Sequence, residues 1–323
     1  MATPTELGRT RYTQVTSVIR AVVQQVQDLW KGMSPATVED DLEGAAGAAI
    51  VAAVAEGQLS VADAAQAYIA AQMAAQGGTA LAEATLVAAA FAGIAPDGGP
   101  LETLLFLPAI GVRRRLAAGM LPEEAMLGGL ADMARYASTA IADAARSADQ
   151  VGMAANRNCV AYVRVVQLPA CARCIVLAGQ MYRYSEGFLR HPNCDCQTLP
   201  LREREWPNVP SPQKLFDRMS PREQRRVFTV AGADAIRSGA DVGQVVNARR
   251  GMSHSGAGTT SEGITRRGLY GRQMRRAGGG FARYPGQRYA RSTAPRLTPE
   301  AIFRRASGRA EQLELLRRYG YIV

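Results

Sequence analysis

Between residues 171 and 196 the chain places Cys171-Ala-Arg-Cys174 sixteen residues ahead of His191-Pro-Asn-Cys194-Asp-Cys196. All five cysteines fall within 159–196, together with one of only two histidines. Soft thiolates and an imidazole are the ligand set of tetrahedral zinc. The spacing predicts a structural Zn2+ held by four of the five candidates Cys171, Cys174, His191, Cys194 and Cys196. With four protein ligands no position is left for water, so the metal would staple a small fold and perform no chemistry. Reduced buried thiols and disulfides are the two other readings. The odd cysteine count and an opening unlike a signal peptide weigh against disulfides.

The flanking residues read as strands. Residues 160–167 are β-branched, 181–184 alternate, and 194–199 can return beside them, giving a sheet of about three strands. Cys159 reads as a buried thiol. Ahead of this region the chain is helical. Apolar residues make up 47% of the sequence but aromatics only 6%, and alanine fills much of the difference. That composition favours close-packed helices. Over 12–30, Val15, Val18, Ile19, Val22, Val23, Val26 and Trp30 recur at helical spacing. Further helices are predicted over 38–56, from a capping-box-like start at Ser60 to about 77, and over 82–91, 101–117 and 122–151. Beyond a Pro-rich linker at 200–210, Ser220-Pro-Arg-Glu223 opens a helix to about 237. A shorter helix follows over 240–247. No apolar run reaches the roughly 18–20 residues needed to span a bilayer.

Charge is divided along the chain. Residues 1–150 carry nine Lys/Arg and sixteen Asp/Glu, a net −7; residues 151–323 carry 29 and twelve, a net +17. Of the basic residues 36 are Arg, whose guanidinium forks suit phosphate and carboxylate. From Arg249 to Arg296 there are eleven Arg and one acid, Glu262, with Tyr270, Phe281, Tyr284 and Tyr289 interleaved. This Gly- and Arg-rich composition predicts an extended segment that does not fold alone. Nucleic acid, protein neighbours and plain solvent are its alternative surroundings. For nucleic acid the candidate contacts are Arg266, Arg267, Arg272, Arg275, Arg276, Arg283, Arg288 and Arg291. A short amphipathic helix opening at Thr298-Pro299-Glu300 closes the chain.

The expected fold is therefore α+β and mostly α. It comprises a helical N-terminal domain (1–155), a small zinc-knuckle-like β/α domain (156–200), a helical extension (201–251) and an extended basic tail ending in a short helix (252–323).

Cys-x-x-Cys, then Leu177-Ala178-Gly179, Met181-Tyr182-Arg183-Tyr184 and above all His-Pro-Asn-Cys-x-Cys resemble the phage Mu protein F (MuF-like) minor capsid family over about 150–200. The stretches 241–251 and 265–268 resemble the same proteins of actinobacterial phages more loosely. The resemblance implies a structural minor head protein of a tailed phage, inside the capsid and associated with the portal. It further implies a part in head assembly and in the passage of DNA. It implies as partners the portal, major capsid or scaffold proteins and viral double-stranded DNA, with no membrane, and a homo-oligomer among the assemblies. Its location would be the virion interior, reached from the host cytoplasm. A capsid maturation protease is the alternative. Against it, only His191 and His254 can serve as a base, and neither Gly-x-Ser-x-Gly nor His-Glu-x-x-His occurs.

Overall fold

The apolar stripe at Val15, Val22, Val26 and Trp30 becomes one buried helix face, as its spacing dictates. In the computed structural model, which describes residues 2–187, 196–203, 210–252 and 258–322, this helix begins well before the stripe. Helix α1 (Pro4–Trp30) starts at a capping box in which Thr3 and Glu6 exchange side-chain and backbone hydrogen bonds. The chain is α+β and mostly helical, with a small sheet region. It divides into two compact units. The first is Met1–Gln167 with Gly179–Val209; the second is Leu168–Ala178 with Pro210–Val323.

In the first unit, α2 (Val38–Glu43) and α3 (Ala45–Ala75) replace the two helices expected over 38–77. Ser60 caps nothing and lies inside α3. Packing overrides the local signal, because Val54, Val61, Ala62 and Ala65 on both sides of it are buried. Helix α3 is long and apolar enough to cross a membrane by length and composition alone. Here it lies against α1, α4 (Leu101–Ala117) and α5 (Pro122–Ala154), the last two starting as predicted. The helix expected over 82–91 shrinks to a single 3-10 turn, Ala88–Phe91. The core shared by these helices includes Val22, Val26, Trp30, Ile50, Val54, Leu101, Leu105, Val112, Met133 and Ile141.

Strands β1 (Ala161–Val165), β2 (Met181–Arg183) and β3 (Gln197–Leu201) form an antiparallel sheet in the order β2-β1-β3. Tyr162 faces Tyr182 on one side and Pro200 on the other. The proline sits on an edge strand, where no ladder bond is lost. Every residue of β1 and β3 is buried, and β3 lies against α1, α3 and α5. Cys159 is the buried thiol expected; burial pushes it up to about 12.

One ion pair joins these layers. Arg11 on α1 donates to Asp149 on α5 at 2.7 Å, both residues almost wholly enclosed. The same guanidinium nitrogen donates to the Val61 carbonyl of α3 at 2.8 Å. Thr198 of β3 donates to the second Asp149 oxygen at 3.3 Å, and Tyr68 donates to the Thr198 carbonyl at 2.6 Å. Burial pushes the Asp149 carboxyl above its ordinary range, with Arg11 and Thr198 pulling the other way. Removing one partner from such a site strands a charge in the interior, at about 3–5 kcal/mol. Asp149→Ala is therefore expected to destabilise the first unit by about that amount in urea unfolding. Arg11→Met combined with Asp149→Leu should recover most of the loss; a fully destabilised double variant would contradict this.

The second unit starts with α6 (Ala172–Val176) and continues through α7 (Pro212–Asp217), α8 (Pro221–Phe228), α9 (Val230–Arg237) and α10 (Val242–Arg250). The single helix expected over 221–237 breaks at Thr229, whose φ of +67° is foreign to a β-branched residue. Its hydroxyl accepts from Gly232 N at 3.2 Å and donates to Glu300 at 3.0 Å, so it caps α9 and ties it to a distant segment.

The extended stretch expected ahead of Thr298 does not hold for 258–297, whereas the short helix expected from Thr298-Pro299-Glu300 is present. Residues 258–322 form β4 (Thr259–Thr260), α11 (Leu269–Arg276), β5 (Phe281–Ala282), β6 (Arg291–Ser292), β7 (Arg296–Leu297), α12 (Pro299–Arg305) and α13 (Arg309–Arg318). Strand β4 pairs with β7 and β5 with β6, each antiparallel. Arg296 is completely buried. It donates to the carbonyls of Tyr319 (2.9 Å), Glu262 (3.0 Å) and Gly320 (3.4 Å) and to the Gln244 side chain (3.2 Å). Its guanidinium carbon lies 4.2 Å from the Tyr321 ring centre. An arginine of the Gly- and Arg-rich segment thus stitches β7, α10 and the C-terminal turn together.

Candidate nucleic-acid interface

The structure overturns the expected zinc site. Among the described residues no group of three or more His, Cys, Asp or Glu side chains is placed to hold a metal ion. Cys171 is the N-cap of α6, its sulfur accepting from Cys174 N at 3.4 Å, and Cys174 is buried. A Cys-x-x-Cys spacing is also the spacing of a helix cap and the third residue of its first turn, and α6 uses it so. Cys196 is buried before β3, its carbonyl accepting from Arg146 at 3.2 Å, and belongs to the other compact unit. His191 and Cys194 lie outside the described residues, as does His254.

The expected arginines all lie in one stretch of the second unit. Arg266, Arg267, Arg272, Arg275, Arg276, Arg283 and Arg288 are exposed and Arg291 is half-buried, all within 266–291 of the second unit. On α11, Arg272, Arg275 and Arg276 are three and four residues apart, so they share one helix face. Arg275 and Arg276 also sit in the last turn, where positive charge complements the helix dipole. Part of their presence is thus structural.

Helix α11 passes into the β5–β6 hairpin through three consecutive glycines. Gly279 N donates to the Met274 carbonyl at 2.7 Å and Gly278 N to that of Arg275 at 3.2 Å. With Gly278 at φ +72°, this is a Schellman cap. The far end of the hairpin turns at Tyr284-Pro285-Gly286-Gln287. Gln287 N donates to the Tyr284 carbonyl at 3.1 Å and Gly286 has φ +78°, a type II turn with proline and glycine in their preferred places. Arg283 is anchored by a 3.0 Å bond from Nε to the Gln287 carbonyl. Arg288 lies over the Tyr289 ring and Arg266 over Phe281, each 5.4 Å from the ring centre. Residues 264–266 run along the β6 side, with Ser292 N donating to the Ile264 carbonyl at 2.8 Å and Arg266 N to that of Ala290 at 3.3 Å.

The result is a small ordered element presenting guanidinium groups and two exposed phenol rings, Tyr284 and Tyr289. From 263 to 299 there are nine Arg and no Asp or Glu, so no neighbouring carboxylate in that stretch neutralises them. Such a surface suits phosphate, with bifurcated guanidinium donors and rings that can stack. Sequence reasoning found these arginines but missed their scaffold. Two signals were present: Arg-Arg-Ala-Gly-Gly-Gly as a helix stop and Arg-Tyr-Pro-Gly-Gln as a turn.

A family described as VG15 protein has a sequence model that matches residues 109–221, about a third of the chain. The match runs from within α4 to the start of α8 and leaves the arginine-bearing element outside it. No curated protein and no solved structure matches the chain.

The scaffold makes a specific demand on Gly278. A side chain in the left-handed region costs about 1–2 kcal/mol. Gly278→Val should therefore loosen α11 and the hairpin, speeding amide exchange over 269–293 by about 5–30-fold while leaving the first unit protected. Unchanged exchange would show that the cap does not hold this element.

Proposed function

We propose that this chain is a structural minor head protein of a tailed bacteriophage, held inside the capsid with the portal. In this reading the second unit meets the packaged double-stranded DNA and the first meets protein neighbours. The observation that carries it is the segregation of charge between the units. The second holds 23 Lys/Arg against eight Asp/Glu, a net +15, and the first holds fifteen against twenty, a net −5. A chain that touches a polyanion with one part and proteins with another needs that separation. The resemblance of 150–200 to MuF-like minor capsid proteins supplies the particle. It stands on the sequence pattern and no longer on metal ligation.

Two measurements test the reading. The chain should be found by mass spectrometry in purified DNA-filled particles, and be resistant to added protease until the heads are opened. Its absence from particles would sink the proposal. Duplex binding should depend steeply on salt. If about five arginines engage, log affinity falls against log salt with a slope of about −4.5. Arg275→Ala with Arg276→Ala should flatten that slope by about 2, with equal loss on all sequences. A slope near zero would assign the arginines to a different partner.

A further inference from the structure

The hairpin tip carries more than phosphate chemistry. Tyr284 is 59% exposed and Tyr289 50% exposed, although the turn that Tyr284 opens, two residues ahead of Tyr289, is held by the Gln287–Tyr284 and Arg283–Gln287 bonds. Two large rings left in water on an ordered turn, with Arg283 and Arg288 beside them, have the composition of a base-stacking platform. Base faces in a duplex are already stacked on one another, so these rings meet them only where the strand is single or its end is open. Arginines alone do not make that distinction, because phosphates are present on both forms.

We propose that the tip of the β5–β6 hairpin binds single-stranded nucleic acid, with Tyr284 and Tyr289 stacking on unstacked bases. Arg283 and Arg288 hold the flanking phosphates, and Arg272, Arg275 and Arg276 on α11 extend the track along the backbone. The inference rests on the reading of the second unit as the nucleic-acid-facing one, and adds to it a preference for strand form. The contact is blind to base identity, because every base offers a π-face and the turn offers no groove-reading element.

The test uses the full chain and two labelled probes, an oligothymidylate strand and a mixed-sequence duplex of the same length, read by fluorescence anisotropy. Tyr284→Ala and Tyr289→Ala should each weaken strand binding by about 5–150-fold, the range of one lost base stack, and leave duplex binding within twofold, about the scatter of such a measurement. Tyr284→Phe and Tyr289→Phe should keep strand affinity, since the ring is retained. Arg275→Ala with Arg276→Ala should weaken both probes. Circular dichroism confirms that each variant is folded. If the alanine variants weaken both probes equally or neither, while the arginine pair weakens both, the stacking inference is overturned and the broader reading stands. If the chain binds neither probe, both fall. Polyglutamate competing as well as the strand, with the same dependence on the tyrosines, would assign the tip to an acidic protein and also overturn the inference.

Discussion

The Arg11–Asp149 pair is the constraint around which the first unit closes. It lies where α1, α3, α5 and β3 meet, with the guanidinium on Val61 and the carboxylate receiving Thr198. Alanine-rich helices offer broad, shallow surfaces that can slide over one another. A charged pair with no access to water tolerates only the register that keeps the two charges together. The desolvation of both charges offsets much of their attraction, so the cost of leaving either one unpaired exceeds the net gain from the pair. Placing β3 in that register also places the rest of the sheet, because β1 and β2 follow it by ladder pairing.

The second unit solves a related problem with less apolar material. Between 258 and 297 few large apolar side chains are available, yet Arg296 is enclosed by carbonyl oxygens and the Tyr321 ring. Burial lowers the affinity of that guanidinium for its proton, and nearby Tyr321, Tyr270 and Glu262 oppose the effect. Glycine has a similar double identity here. A Cβ on Gly271 would lie 1.8 Å from the Thr265 carbonyl oxygen, so this position needs glycine for close packing and not for flexibility. Composition reads Gly and Arg as marks of disorder. Position decides whether they are instead a cap, a turn or a core.

A metal site and a polyanion surface make different demands on a fold. A metal site requires several side chains to converge within a few ångströms, and residue types at suggestive spacing do not ensure this. Cys171 and Cys174 were drawn into a helix start, and Cys196 into the approach to an edge strand. A polyanion surface requires only exposed charge on a common element. Seven of the eight arginines are exposed and Arg291 is half-buried; Arg272, Arg275 and Arg276 lie on α11, Arg283, Arg288 and Arg291 on the adjoining hairpin, and Arg266 and Arg267 just ahead of α11.

Local order was legible in the residues themselves. The helical stripe at Val15–Trp30, the helices opening at Leu101 and Pro122, the capping box at Ser220 and the strands around 161–201 were all readable, because each is set by the spacing of apolar residues or by a cap within a few positions. The candidate arginines were equally visible, since charge is a property of composition. Long-range packing settled where those signals lose. It carried α3 straight through Ser60 and broke the 221–237 helix at Thr229. It buried Arg11 and Arg296 and put Cys171 and Cys174 in one unit and Cys196 in the other. Each of these outcomes depends on partners tens of residues away, so that burial and long-range hydrogen bonding, and not local preference, set the energy.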